Sequence, residues 1–218
     1  MINRKETAWK KSRKFGDVKG GRRHPKLADQ IFKSQHNLLA PSAGQETSIF
    51  IEDNPSKDFF FPVTAEQVRK TLEKLPKEHS KELTHVWFRK VKRTDYQNGN
   101  AVQGSFISGS GVNLIVLHPF PNDLKMRFGD KKPELKQLKF YAPYTTQLGS
   151  DENGWFLKWE VERIKDYYLE RLLLHEIGHH IDSMYHRFWS KAYKQKAENF
   201  ADNYAVVWSN SETVNVIE

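Results

Sequence analysis

Residues 171–182 read Arg171-Leu172-Leu173-Leu174-His175-Glu176-Ile177-Gly178-His179-His180-Ile181-Asp182. The apolar residues Leu172, Leu173, Leu174, Ile177, Ile181 and, further on, Met184 recur with helical spacing, so the stretch predicts a buried amphipathic helix. Residues four apart on a helix share one face. His175 and His179 therefore present two imidazoles that can bind one metal ion. Glu176 follows His175 and leans toward the same point. It is placed to take a proton from a metal-activated water and not to ligate. Gly178 lacks a side chain and lets its backbone approach a neighbouring element closely. His180 points about 100° round the helix from His179 and is expected to pack behind the ligands.

An open zinc site takes a third protein ligand. Downstream, the chain reads Glu198-Asn199-Phe200-Ala201-Asp202-Asn203-Tyr204-Ala205. Two antiparallel helices joined by a short connection would bring Glu198 to the ion. The apolar neighbours Ala197, Phe200, Ala201, Tyr204 and Ala205 predict that this turn is buried. Asp202, one turn beyond Glu198, is predicted to accept the second ring N–H of a ligand histidine and so fix its tautomer.

His175-Glu176-x-x-His179 followed by Glu198-x-x-x-Asp202 resembles the gluzincin metallopeptidases. The form Glu198-x-x-Ala201-Asp202-x-Tyr204-Ala205 is also similar to the last motif of small bacterial ImmA/IrrE-type and minimal gluzincin domains. The resemblance spans roughly residues 80–208, and its specific part is residues 171–205. No Asn precedes Glu198, so the thermolysin branch is not indicated. No Gly-x-x-His follows His179, which excludes the metzincin elongation. The resemblance implies zinc held by His175, His179 and Glu198, Glu176 as catalytic base, and Asp202 behind the first histidine. It implies a twisted sheet packed against an active-site helix and a glutamate-bearing helix. Related families polarise the substrate carbonyl with a Tyr or His, for which Tyr204, Tyr141, Tyr144 and His118 are candidates. They also bind an extended substrate along a sheet edge, and Val112–His118 is the candidate strand.

Composition narrows the chemistry. With 218 residues the chain fits one domain plus a tail. It has no cysteine, which excludes disulfides and thiolate metal sites and leaves His and carboxylates as ligands. No apolar run approaches a membrane span and no apolar leader is seen, so the expectation is a cytoplasmic protein without a membrane partner. Residues 1–36 carry 11 Lys or Arg against 3 acids, a surplus equal to the whole formal charge of +8. Residues 1–45 therefore read as a basic, poorly ordered arm, and residues 46–218 as the metallopeptidase domain. Trp9 and Phe15 lie among Lys10, Lys11, Arg13 and Lys14, a pattern suited to stacking on bases. The alternative reading is thus a regulatory protease or binding protein that holds nucleic acid through residues 1–36. DNA-associated ImmA/IrrE-like and SprT-like proteases are its analogies.

Along the chain, a weak helix is expected over Pro25–Gln35 and a linker at Pro41–Gly44. Thr64-Ala65-Glu66-Gln67 has the form of a capping box and opens a helix through Leu75. Strands are predicted at Leu83–Val91, Ala101–Ser108, Val112–His118, Leu135–Tyr141 and Trp155–Trp159. Turns are expected at Tyr96–Asn100, Ser108–Gly111 and Gln147–Gly154, and a loop over residues 119–134. Helices follow from Glu162 to His186 and from Lys191 to Trp208. Strands first and site-bearing helices last make an α+β chain. The function expected is that of a zinc-dependent endopeptidase acting on protein or peptide substrates.

Overall fold

The structure, a computed structural model, describes residues 17–19, 22–24, 47–99, 102–109, 112–185 and 193–209. The expected helix at 25–35, the linker at 41–44 and most of the basic arm lie outside them. Within the arm, β1 (Asp17–Lys19) pairs antiparallel with β2 (Arg22–His24). The remainder is a mixed α+β chain built on a four-stranded sheet.

That sheet has the order β3-β5-β7-β6. Its strands are β3 (Ile49–Glu52), β5 (His85–Phe88), β7 (Val112–Leu117) and β6 (Gly104–Gly109). The first three run parallel, and β6 pairs antiparallel to β7. A short pair, β4 (Phe59–Phe60) with β8 (Phe120–Pro121), lies beside it in the chain order. The continuous apolar run of β7 follows from burial on both faces. Ile115 and Leu117 belong to the main core, and Leu114 and Val116 to a second cluster with Trp87 and Val112. An internal strand cannot offer its backbone to a substrate. The expectation that Val112–His118 forms the docking edge is therefore corrected: the edge on this side is β6.

Between β3 and β5 come α1 (Ala65–Lys74) and α2 (Lys77–Ser80). Thr64 and Gln67 form the reciprocal capping box at the start of α1, and Val68 and Leu72 are its buried stripe. Of the expected turn at Tyr96–Asn100, Tyr96 and Gln97 close a short helix, α3 (Arg93–Gln97), and Asn98 and Gly99 form the turn, with Gly99 at φ +68°; Asn100 lies outside the described residues.

Three expectations fail in the next segment. Residues 119–134 do not form a plain loop: they contain β8 and β9 (Lys125–Gly129). Leu135–Tyr141 is a helix, α4, and not a strand. Glu134 caps it reciprocally with Gln137, a local signal that outweighs the aromatic, strand-like composition of Leu138-Lys139-Phe140-Tyr141. The expected turn at Gln147–Gly154 is mostly strand, because β10 (Thr145–Asp151) pairs with β11 (Gly154–Trp159). Only Glu152 and Asn153 form the hairpin loop. Gly149 is not a turn residue; its missing side chain makes room for the Phe156 ring, which a Cβ would meet at 2.6 Å. With β9 these strands form a second sheet of order β10-β11-β9.

The long helix is interrupted. After α5 (Val161–Asp166), residues Tyr167–Leu172 are π-helical, and α6 runs Leu173–Tyr185. The π turn inserts one residue and rotates the two halves relative to each other. It seats Tyr167 and Tyr168 in the core, where their hydroxyls donate to Gln103 Oε1 and the His118 carbonyl, each at 2.8 Å. The last helix, α7 (Lys194–Ser209), packs along α6. Among the described residues no helix is long and apolar enough to cross a membrane.

Candidate metal centre

Helices α6 and α7 run antiparallel, with His175 beside Asp202 and His179 facing Glu198. Their separation is set at Gly178, where a Cβ would lie 2.7 Å from Ala201 Cα. This close approach brings α7 carboxylates within reach of α6 imidazoles. His175 Nε2 and His179 Nε2 are 3.1 Å apart, and Glu198 Oε2 lies 3.6 Å from the first and 3.7 Å from the second. Ligand atoms about 2.0–2.1 Å from a tetrahedral centre sit roughly 3.3–3.4 Å apart. The three groups thus have the donor types and the spacing of one metal site, and they could hold an ion.

Asp202 sits behind the first histidine. Its Oδ1 accepts from His175 Nδ1 at 3.1 Å. With the proton held at Nδ1, the Nε2 lone pair faces Glu198 and His179. Burial lowers the His175 pKa, but the Asp202 hydrogen bond and the carboxylates of Glu176, Asp202 and Glu198 outweigh it and raise the net value. The same hydrogen bond, with the charges of Arg171 and Lys136, keeps Asp202 below the usual carboxylate range. His179 is lowered by burial and by the neighbouring His175.

Glu176 is 5% exposed and faces β6. A Cβ on Gly104 would lie 3.0 Å from its Oε1, so the strand approaches the carboxylate with no side chain between. Burial pushes the Glu176 pKa up to about 7, with the charge of Glu198 adding to the rise; His175 and the Phe106 backbone N–H oppose it. A carboxylate so poised can accept and return a proton near neutrality. His180, as expected, is packed away: its Nε2 donates to the Lys81 carbonyl at 2.9 Å.

The register of β6 exposes a usable edge. Gln103 accepts from His118 N–H, and Gly104 stands opposite Leu117. In an antiparallel ladder, alternate residues turn their backbone groups to the partner strand. The backbone groups of Gly104, Phe106 and Ser108 therefore point away from β7.

A cleft of about 390 Å³ opens between this edge and the histidine face. Beyond His175, Glu176 and Asp202, its walls include Phe128 of β9, Phe140 and Tyr141 of α4, and Arg171 and Leu172 of the π turn. The sequence reading missed the contribution of β9 and α4, since it gave both the wrong local structure. Arg171 carried an unused signal: it lies four residues before His175 and, with it, lines the cleft. Of the four candidates for polarising a carbonyl, three are engaged elsewhere. Tyr204 hydroxyl lies 2.7 Å from His79 Nδ1, His118 Nδ1 donates to the Arg89 carbonyl, and Tyr144 stacks on Trp159. Tyr141 lines the cleft, with its hydroxyl paired to that of Tyr167.

No protein-family model, curated protein or solved structure matches the chain in sequence or fold.

Proposed function

We propose that the protein is a zinc-dependent peptidase of gluzincin type, with His175, His179 and Glu198 as metal ligands, Asp202 orienting His175, and Glu176 as general base. One observation carries the reading: three ligand atoms within 4.8 Å of one another, from helices held at backbone contact, beside a buried carboxylate and a sheet edge. The two-histidine, one-glutamate set is a catalytic zinc set that leaves a coordination position open. When bound, zinc supplies Lewis acidity and brings the pKa of a coordinated water to about 7.

The chain's own residues do the rest. A protein or peptide substrate adds as a strand to the outer edge of β6, where the outward backbone groups of Gly104 and Ser108 and the Phe106 carbonyl fix its backbone; the Phe106 N–H is held by Glu176. Glu176 removes a proton as the water oxygen adds to the peptide carbonyl carbon. The C–N bond then breaks, and Glu176 returns that proton to the leaving nitrogen. Tyr141 is the proposed donor to the carbonyl oxygen. The α+β arrangement supports this assignment, because α6 packs on β6 and β7 while α7 packs on α6.

The test is metal analysis of the full-length protein, paired with cleavage of an unfolded protein substrate by wild type and Glu176→Gln. About one zinc per chain in both, with cleavage by wild type alone, is the expected result. Cleavage by Glu176→Gln at the wild-type rate would remove Glu176 from the mechanism.

A further inference from the structure

Among the described residues, two guanidinium groups line the cleft, and they differ in what they already bind. Arg127 donates to both oxygens of Asp151, at 2.7 and 3.1 Å, and lies 3.5 Å from Asp123. Its fork is spent on the second sheet. Arg171 stands over the Phe140 ring at 4.8 Å, with its side chain 18% exposed. The carboxylate paired with it is Asp202, at 3.7 Å, beyond hydrogen-bond reach; the Asp202 oxygen concerned already accepts from His175. Asp202 is thus the charge partner of Arg171, an ion pair without hydrogen-bond contact, and the half-buried guanidinium keeps donors turned to the cleft. A planar carboxylate is the partner its fork fits best.

We propose that Arg171 binds a carboxylate of the substrate adjacent to the bond that is cut, so that the enzyme selects acidic peptides; this rests on the peptidase reading above. The placement follows from a shared neighbour: Arg171 Nη2 and His175 Nδ1 both approach Asp202 Oδ1, at 3.7 and 3.1 Å, and both residues line the cleft. A group held by Arg171 is therefore about one side-chain length from the metal ligands. The Phe140 ring, 4.8 Å from the guanidinium carbon, supports the cation. Of the carboxyl groups that line the cleft among the described residues, Asp202 is held by His175, and Glu176, buried beside the Phe106 N–H, is the proposed base. Either an Asp or Glu side chain or the free carboxyl end of a short peptide presents the required group.

The experiment uses the full-length Glu176→Gln protein loaded with zinc, and fluorescein-labelled hexapeptides in an anisotropy titration. One pair differs only by Asp against Asn at the central position; a second pair has Asn there and ends in a free carboxylate or an amide. The expected result is a preference of about tenfold or more within one pair, and the pair concerned identifies the source of the carboxylate. Adding Arg171→Met should abolish that preference, and Arg171→Lys should reduce it several-fold by removing the bidentate fork. Equal binding of all four peptides, or a preference unchanged in either Arg171 variant, overturns the proposal. Failure of the peptidase reading looks different: wild type would cut none of these peptides while the zinc-loaded protein still discriminated through Arg171.

Discussion

Gly178 and Ala201 bring two helices into backbone contact. A Cβ on Gly178 would lie 2.7 Å from Ala201 Cα and 3.1 Å from Tyr204 Cβ. His175 with Asp202 and His179 with Glu198 flank this point on either side. Gly178→Ala should force α6 and α7 apart, at a stability cost of about 1–3 kcal/mol despite the better helix propensity of alanine. Both α7 carboxylates would retreat together, so zinc affinity should fall as well. Denaturant melts and zinc titrations check this; an unchanged zinc affinity would refute the claim that this contact positions the ligands.

The ligand set predicts a pattern across four variants. His175→Ala, His179→Ala and Glu198→Ala should each lose stoichiometric metal, and Glu176→Gln should keep it, because Glu176 is not one of the three grouped ligands and glutamine preserves its shape. Elemental analysis after dialysis reads the outcome. Full zinc occupancy in Glu198→Ala would sink its assignment.

Asp202→Asn tests the residue behind His175. The amide can still occupy the space, but it holds the Nδ1 proton less firmly. Zinc affinity should weaken about 10–100-fold, the usual range for such supports. Competition with a chromogenic chelator measures it, and wild-type affinity would show that Asp202 does not orient His175.

Gly104→Ala probes the approach of β6 to Glu176, the proposed base. The new Cβ would meet Leu172 Cδ1 at 2.9 Å and Glu176 Oε1 at 3.0 Å, both ends of flexible side chains. The fold should absorb this at a cost of about 1 kcal/mol or less, with zinc retained. Peptide cleavage should drop at least tenfold, because the base is pushed from its position. Cleavage at the wild-type rate would mean that Gly104 does not define the catalytic wall.

Acid should weaken the second sheet through Asp151. Hydrogen bonds from Arg127 and Lys125 hold its carboxyl well below the usual carboxylate range. A folded-state pKa depressed below the unfolded 3.8 means the stabilisation is present above pH 4 and is lost as pH falls below it. Asp151→Asn should therefore be less stable than wild type at pH 7, and the gap should narrow steadily as pH falls from about 4 towards 2 without closing fully, because the folded-state pKa lies lower still. Denaturant melts across that range decide it; a gap independent of pH would assign the effect to packing.

What the residues determine by themselves here is local. The spacing of His175 and His179 puts two imidazoles on one helical face, because the helical period is a property of the backbone. Thr64 and Gln67 cap α1 through atoms three residues apart. The absence of cysteine limits any metal site to imidazoles and carboxylates. The tertiary structure decides the rest, since it depends on contacts between distant segments. Val112–Leu117 reads as a strand from its apolar run, but its interior position follows from pairing with β5 and β6 together. Leu135–Tyr141 and Lys125–Gly129 become walls of the cleft only when the second sheet closes against the π turn. The spare donors of Arg171 are visible only once Asp202 is found committed to His175. Short segments of mixed pattern have several local conformations of similar energy. Burial against partners far along the chain selects among them.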